Sequence, residues 1–291
     1  MILRARFSAR TLGLLLVSSL LLSCSATRLM YNQLDWLAVW YIDDYFSLTD
    51  DQRDSLREAV DQNLEWHRRT QLPRYADFCR ELDRQWVENP SIELIEQRYD
   101  ELMGYWYALL GHAMPDITEF LLSLSDEQVA DFLERVEENN QEMIDEYSGE
   151  SAERRLKQRQ KVIIKITRRF VGRLNDNQKA IVRQYAGSLH DNSEEWIEGR
   201  RIWQTEFSRL LRERPEDFAD RVGNLLFDPN QFDSATYREQ VTENTELIFD
   251  MYEVLLFGLT DKQRATLSKR LNRYADDFED LAAANVQPAT G

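Results

Sequence analysis

The chain has 291 residues, with 52 acidic and 36 basic side chains and a formal charge of −16. Its 10 Gly and 6 Pro make up about 5% of the chain, against roughly 12% in average usage. Hairpins, bulges and tight turns lean on those two residues, so sandwich, barrel and propeller folds are excluded. A charged fraction of 30% and a mean hydropathy of −0.57 exclude a polytopic membrane protein. The acidic balance also excludes a nucleic-acid partner, which needs a dominant basic face.

At the N-terminus, Arg4, Arg6 and Arg10 precede the apolar run from Leu12 to Leu22. That run is too short to cross a bilayer and reads as the core of a secretory signal. It ends in Leu21-Leu22-Ser23-Cys24, which resembles a bacterial lipobox. The resemblance implies a signal peptide over residues 1–23 and a mature chain that starts at Cys24. It also implies covalent lipid on that cysteine, including a palmitate-type acyl chain, and a short tether over 24–28. Two or more acyl chains anchor stably where one is marginal. Ser25, rather than Asp, follows the cysteine, and the sorting rule of such lipoproteins then implies the outer membrane, periplasmic face. The alternative is an ordinary cleaved signal, or a cysteine at that place by chance. Removing residues 1–23 takes three arginines and no acid, which moves the charge from −16 to −19.

From Leu29 to Asp280 nearly every segment has helical periodicity and none alternates as a strand. The interruptions are Pro73, Pro90, Pro115, Gly149, Pro215, Pro229 and Gly258. The small, polar stretch from Ala282 to Gly291 reads as a disordered tail. The first helical segment begins at Leu29, no further than roughly 17 Å from Cys24 along an extended chain, and carries Tyr31, Trp36, Trp40, Tyr41, Tyr45 and Phe46. Amphipathic aromatics favour the headgroup zone, so Trp36 and Trp40 are candidates for interfacial contact. A first core helix with Met30, Leu34, Leu37 and Tyr41 inward is the competing reading. Further on, Tyr75, Phe78, Cys79, Leu82 and Trp86 have the spacing of a buried stripe, where Cys79 is a small packed hydrophobe rather than a reactive thiol.

Residues 126–150 carry a net charge of −9 and residues 153–173 a net charge of +8. Joined by a short turn around Gly149, they are expected to fold back as a charge-complementary hairpin. The rival reading makes Arg154, Arg155, Lys157, Arg159 and Lys161 a lipid-phosphate surface. From Asn175 to Arg212, the residues Val182, Leu189, Trp196, Trp203 and Leu210 recur every seven positions, the seam of one long helix. Trp196 and Trp203 could also line a groove for a peptide or helix.

Four places repeat one signature: Leu48-Thr49-Asp50-Asp51-Gln52, Leu124-Ser125-Asp126-Glu127-Gln128, Leu174-Asn175-Asp176-Asn177-Gln178 and Leu259-Thr260-Asp261-Lys262-Gln263. Each reads as a helix start, with Thr49, Ser125, Asn175 or Thr260 at the N-cap. Acid follows in the first turn, and Gln52, Gln128, Gln178 or Gln263 reaches back to complete a capping box. The leucines of the first pair are 76 positions apart and those of the second pair 85 apart. Phe78-Cys79-Arg80-Glu81-Leu82 is also echoed by Phe207-Ser208-Arg209-Leu210-Leu211. The chain therefore reads as an internal duplication, with a first helical unit over 29–150 and a second over 151–281.

A Leu-Thr-x-x-Gln helix start occurring twice in an exported helical chain resembles the LTxxQ group of periplasmic proteins typified by Spy and CpxP. That resemblance implies curved helical cradles that act as chaperones or as brakes on envelope-stress signalling. With Tyr31-Asn32-Gln33-Leu34-Asp35-Trp36 close behind the lipobox, the whole chain also resembles an uncharacterised family of proteobacterial lipoproteins.

Sequence signals for catalysis are absent. There is no Gly-x-Ser-x-Gly, His-Glu-x-x-His, paired-Cys motif or phosphate-cradling glycine loop. His67, His112 and His190 stand alone, and a metal shared by His190 and Glu194 lacks a second histidine nearby. The expectation is an all-α, elongated multi-helix bundle or curved cradle, without metal or any cofactor beyond the lipid on Cys24. It is expected to be a non-enzymatic binding module, with a chaperone-like or envelope-stress role toward envelope proteins or unfolded clients. The alternative is an adaptor that docks one envelope partner near the membrane.

Overall fold

The computed structural model describes residue 28 and residues 30–88, 90–148 and 150–284. The signal segment 1–23, Cys24 with the tether to residue 27, the Gly149 joint and the tail from residue 285 lie outside the described residues. Among those described there are eleven helices and no strand: α1 (Leu34–Phe46), α2 (Asp50–Thr70), α3 (Leu72–Glu88), α4 (Ile92–Ser123), α5 (Asp126–Ser148), α6 (Ala152–Val171), α7 (Asp176–Ser188), α8 (Ser193–Glu213), α9 (Phe218–Phe227), α10 (Ala235–Phe257) and α11 (Asp261–Ala283). The chain is an all-α multi-helix bundle, as the scarcity of Gly and Pro predicts.

Local chemistry places the helix starts. Besides the four capping motifs, Ser91, Ser151 and Ser234 accept the backbone N–H of Leu94, Arg154 and Tyr237, contacts worth about 1 kcal/mol each. Pro73 is the second residue of α3, where its missing N–H is no loss. Pro115 does not interrupt the chain as expected but lies inside the 32-residue α4. Leu121 is buried in a core on one side of it, and Met114, Ile117 and Phe120 pack on that core around it. Burial thus outweighs the hydrogen bond that the proline removes.

The first core draws Leu72, Ala76, Cys79 and Leu82 from α3 and Leu267, Leu271, Ala275, Phe278 and Leu281 from α11. These antiparallel helices form the most extensive pairing in the molecule. Ala76 and Ala275, 2% and 0% exposed, let the backbones approach. The register is set by Arg80, which holds Asp276 at 3.0 Å and Glu279 at 2.8 Å. The second core gathers Val39 and Phe46 of α1, Leu56 of α2, Leu121 of α4, Val129 of α5, Leu210 and Leu211 of α8, and Phe218, Val222 and Leu225 of α9. A third, smaller core holds Ile163, Val182, Ala186, Met251 and Leu255. Both larger cores draw residues from either side of the Gly149 joint.

Three further expectations are corrected. The charged hairpin does not form: α5 packs on α1 and α8, and α6 on α7 and α11. Their apolar stripes go to different cores, Val129 to the second and Ile163 and Val171 to the third and first. Exposed ion pairs, at about 0 to 1 kcal/mol each, do not override that burial. The Val182 to Leu210 seam is also not one helix. The chain breaks at 189–192, where Asn244 of α10 grips the His190 backbone through N–H (2.8 Å) and C=O (3.2 Å). Arg159 of α6 binds the Leu189 carbonyl at 3.0 Å, and Arg155 binds Asp191 at 2.7 Å. Val182 and Leu210 then serve separate cores. Finally, α1 turns Val39 and Phe46 inward, while Tyr41, expected in its core stripe, is exposed.

Candidate functional site

The four capping motifs meet in two pairs. In the first node, at the starts of α2 and α5, the Gln52 amide donates to Gln128 Oε1 (3.1 Å) and the Gln128 amide to Gln52 Oε1 (2.7 Å). Each amide also donates across the pair to the carbonyl two residues before the partner's N-cap. Gln52 reaches Ser123 O at 2.9 Å and Gln128 reaches Ser47 O at 3.2 Å. The second node, at the starts of α7 and α11, repeats this pattern: Gln178 and Gln263 exchange bonds at 3.0 and 2.9 Å, and they reach Gly258 O and Arg173 O at 3.1 and 3.0 Å.

Each glutamine oxygen also accepts the N–H of its own N-cap, Thr49, Ser125, Asn175 or Thr260. The side chain or hydroxyl of each cap accepts the glutamine N–H in return. All four capping boxes are therefore formed, and the preceding leucines, Leu48, Leu124, Leu174 and Leu259, are buried beneath them. The nodes hold helix ends back to back, and the Thr49, Ser125 and Thr260 hydroxyls in them serve as caps. The sequence spacings of 76 and 85 are the separations of the paired residues, Gln52 to Gln128 and Gln178 to Gln263.

The start of the described chain is fixed to its end. Arg28 binds Asp277 at 2.9 Å and Asp280 at 2.7 Å on α11. Tyr31 is buried, with its hydroxyl 2.7 Å from Nδ1 of His67. Burial, with a smaller contribution from Arg68, pushes His67 down to about 4, so the ring is neutral near pH 7. The Arg68 guanidinium lies over the Tyr31 ring at 4.6 Å. Cys79 is a free, buried thiol that burial pushes up to about 12, which leaves it an inert packing group.

The candidate binding residues fall in two classes. Trp36 and Trp40 are 58% and 55% exposed and stacked on each other at 6.1 Å on the outer face of α1. Trp203 is half-buried: its indole N–H donates to Leu225 O at 2.9 Å and its ring stacks on Phe207 at 5.1 Å. Trp196 is half-buried, with the Arg200 guanidinium 5.7 Å from its ring. The two tryptophans of the expected groove thus point into different surroundings. His112 is exposed and stacks on Trp66 at 3.8 Å, and His190 binds Glu243 at 2.6 Å rather than a metal-like set with Glu194. Among the described residues no three His, Cys, Asp or Glu converge as a metal site, and no helix is long and apolar enough to cross a membrane.

Sequence reasoning missed a second exposed aromatic face. On α4, Tyr99, Leu102 and Trp106 form an outward stripe at i, i+3 and i+7, with Tyr107 beside them. Ile95 and Leu110, which are buried, stand on the same side of α4 before and after them, so the stripe is the open middle of a face whose two ends are packed. The signal was available as one apolar stripe from Ile95 through Tyr99, Leu102 and Trp106 to Leu110, longer than its neighbours cover.

A sequence profile of a family of unknown function, DUF6279, matches residues 44–238, more than half of the chain. The chain belongs to this family. The matched stretch contains both caps of the first node and Asn175 and Gln178 of the second. No curated protein and no solved structure matches the chain.

Proposed function

We propose that this protein is a lipid-anchored, non-enzymatic helical binding module of the bacterial envelope. In this reading Cys24 carries the acyl chains and holds the bundle at the periplasmic face of the outer membrane. The α4 face then receives apolar segments of other envelope proteins in a chaperone-like or stress-related role. The carrying observation is that exposed stripe of Tyr99, Leu102 and Trp106, 45%, 41% and 36% accessible, on the long helix α4. Uncovered aromatic patches on a rigid support are characteristic of interaction sites. The paired capping motifs add the likeness to the LTxxQ group and, with the lipobox, to proteobacterial lipoproteins.

A second reading, an adaptor with one stable partner near the membrane, is favoured by the exposed Trp36–Trp40 stack next to the pinned N-terminal segment. Photo-crosslinking in cells with probes at Leu102, Trp106, Trp36 and Trp40, and at Trp196 and Trp203 for comparison, separates the two. Many partners trapped at 102 and 106 support the chaperone-like role, and one dominant partner at 36 and 40 supports the adaptor. The absence of any crosslinked envelope protein overturns both. The anchor has its own test: Cys24→Ala is expected to abolish palmitate incorporation, and retained labelling refutes the lipobox.

A further inference from the structure

Where opposite charges stand side by side, the chain pairs them. At the start of α6, where the sequence allowed an anion surface, Arg154 binds Glu150, Arg155 binds Asp191 and Lys157 binds Glu153, at 3.0, 2.7 and 2.7 Å. Around the open middle of α4 the charge has one sign and stays unpaired.

Helix α4 carries six carboxylates against a single arginine. That arginine, Arg98, is buried and paired with Glu101. Glu93, Glu96 and Asp100 are exposed and follow at i, i+3 and i+7, so they form a line of charge along one edge of the stripe of Tyr99, Leu102 and Trp106. Helix α10 brings another carboxylate to the same surface. Its Phe249 ring meets Tyr99 at 5.5 Å, and its Glu253 accepts the Ile92 N–H at 2.9 Å, so this side of α10 faces α4. Glu246, three residues before Phe249 and seven before Glu253, is exposed on that side. Among the described residues Glu93, Glu96, Asp100 and Glu246 form no ion pair. The one cation of α10, Arg238, donates to the Asp233 carbonyl at 2.8 Å, at the start of the helix.

The apolar part lies between two ring contacts, Tyr99 on Phe249 of α10 and Tyr107 on Phe227 of α9, the latter at 6.1 Å. Leu102 and Trp106 are exposed between them. From Tyr99 to Trp106 the stripe is about 10 Å long, two helical turns, which fits the apolar face of another helix. The carboxylates decide which occupant is accepted. An anionic lipid surface is repelled. A second copy of this chain would bring the same carboxylates against these. A helix that carries lysine or arginine beside its apolar face meets both requirements, and the exposed rings of Tyr99 and Trp106 attract cations as well.

We propose that the α4 face binds cationic amphipathic helices, whose apolar side chains lie on Tyr99, Leu102 and Trp106 while their lysines and arginines meet Glu96, Asp100 and Glu246. This rests on the α4 face as the binding surface proposed above and adds the charge of its partner. The aromatic stripe supplies affinity, and the carboxylates at its rim supply selection and a faster encounter.

The test uses the full chain with a photo-crosslinking residue in place of Leu102, and the same residue in place of the exposed Asn177 as background. Two fluorescent helical peptides of about 18 residues share one apolar face and differ only in having lysine or glutamate beside it. The lysine peptide is expected to crosslink roughly tenfold more at position 102 than the glutamate peptide. That advantage should shrink to about twofold in about 0.5 M salt. Glu96→Lys with Asp100→Lys and Glu246→Lys, with helicity checked by circular dichroism, should reverse the preference. No crosslink above background with either peptide overturns the α4 face as a binding surface, and this inference with it. Equal crosslinking of both peptides above background leaves that surface standing and overturns the charge selection alone. A preference for the glutamate peptide, or a lysine preference that survives the three substitutions, overturns the assignment to these carboxylates.

Discussion

The two glutamine nodes have the same hydrogen-bond plan in different surroundings. In the second node Gln178 and Gln263 are 1% and 6% exposed, and their mutual bonds are buried. In the first, Gln52 is only half-buried, and its bonds to Thr49 and Ser123 are exposed. Local sequence chemistry writes the pattern, but the packing above it decides what the pattern is worth. A buried amide that loses its partner carries the whole desolvation penalty, whereas an exposed one finds water. The nodes differ in backbone too. The turn into the first uses Ser47 at φ 50°, and the turn into the second uses Gly172 at φ 84°.

The largest expected effect sets the two cores apart by pH. His67 lies beside Tyr31 at the first core, by the C-terminal end of α11. The unfolded imidazole takes a proton near pH 6.5 and the native one only near 4, so the unfolded state binds more protons in that window. Stability should therefore fall as pH drops from 6.5 to 4, by as much as about 3 kcal/mol. Hydrogen exchange should quicken in α3 and α11 before α8 and α9, and His67→Phe should flatten the acid limb. Equal loss of protection in both cores contradicts the assignment.

Next in size, Gln178→Ala leaves the Asn175 N–H, the Gly258 carbonyl and the Gln263 amide without their partner, at roughly 2 to 3 kcal/mol. Gln52→Ala should cost about 1 kcal/mol, and equal values in urea titrations would show that burial does not separate the nodes. Gly172→Ala forces a side chain into a left-handed conformation and should destabilise by about 1 to 2 kcal/mol. Ser47→Gly, which relieves a milder form of that strain, should raise stability by less than about 1 kcal/mol. A destabilising Ser47→Gly would mean that its hydroxyl, 3.4 Å from Arg135, matters more than its backbone.

The features legible in the sequence were those with local causes. Thr49, Ser125, Asn175 and Thr260 cap helices because cap chemistry needs only three following residues, and the helical class follows from composition. Partner choice was not legible. The opposite charges of residues 126–150 and 153–173 suggested a hairpin, yet Val129 and Ile163 are drawn to different cores. The regular spacing from Val182 to Leu210 concealed a break, because the groups that open it, Arg155, Arg159 and Asn244, come from two other helices. The reciprocal bonding of the glutamines was foreshadowed only as paired spacings. The exposed α4 stripe was missed because periodicity marks an apolar face from Ile95 to Leu110 and is silent about whether a neighbour covers its middle.

The α3–α11 pairing sets when this protein can become whole. Arg80 contacts Asp276 and Glu279 across almost two hundred residues of chain, and Leu267 to Leu281 complete the first core. A nascent chain short of its last helix leaves Leu72, Ala76, Cys79 and Leu82 uncovered. Closing so long a loop is a late and slow step, and until it happens the intermediate presents a sticky helix to its neighbours. A chain that lacks α11 therefore keeps the α3 stripe open, where it is exposed to aggregation.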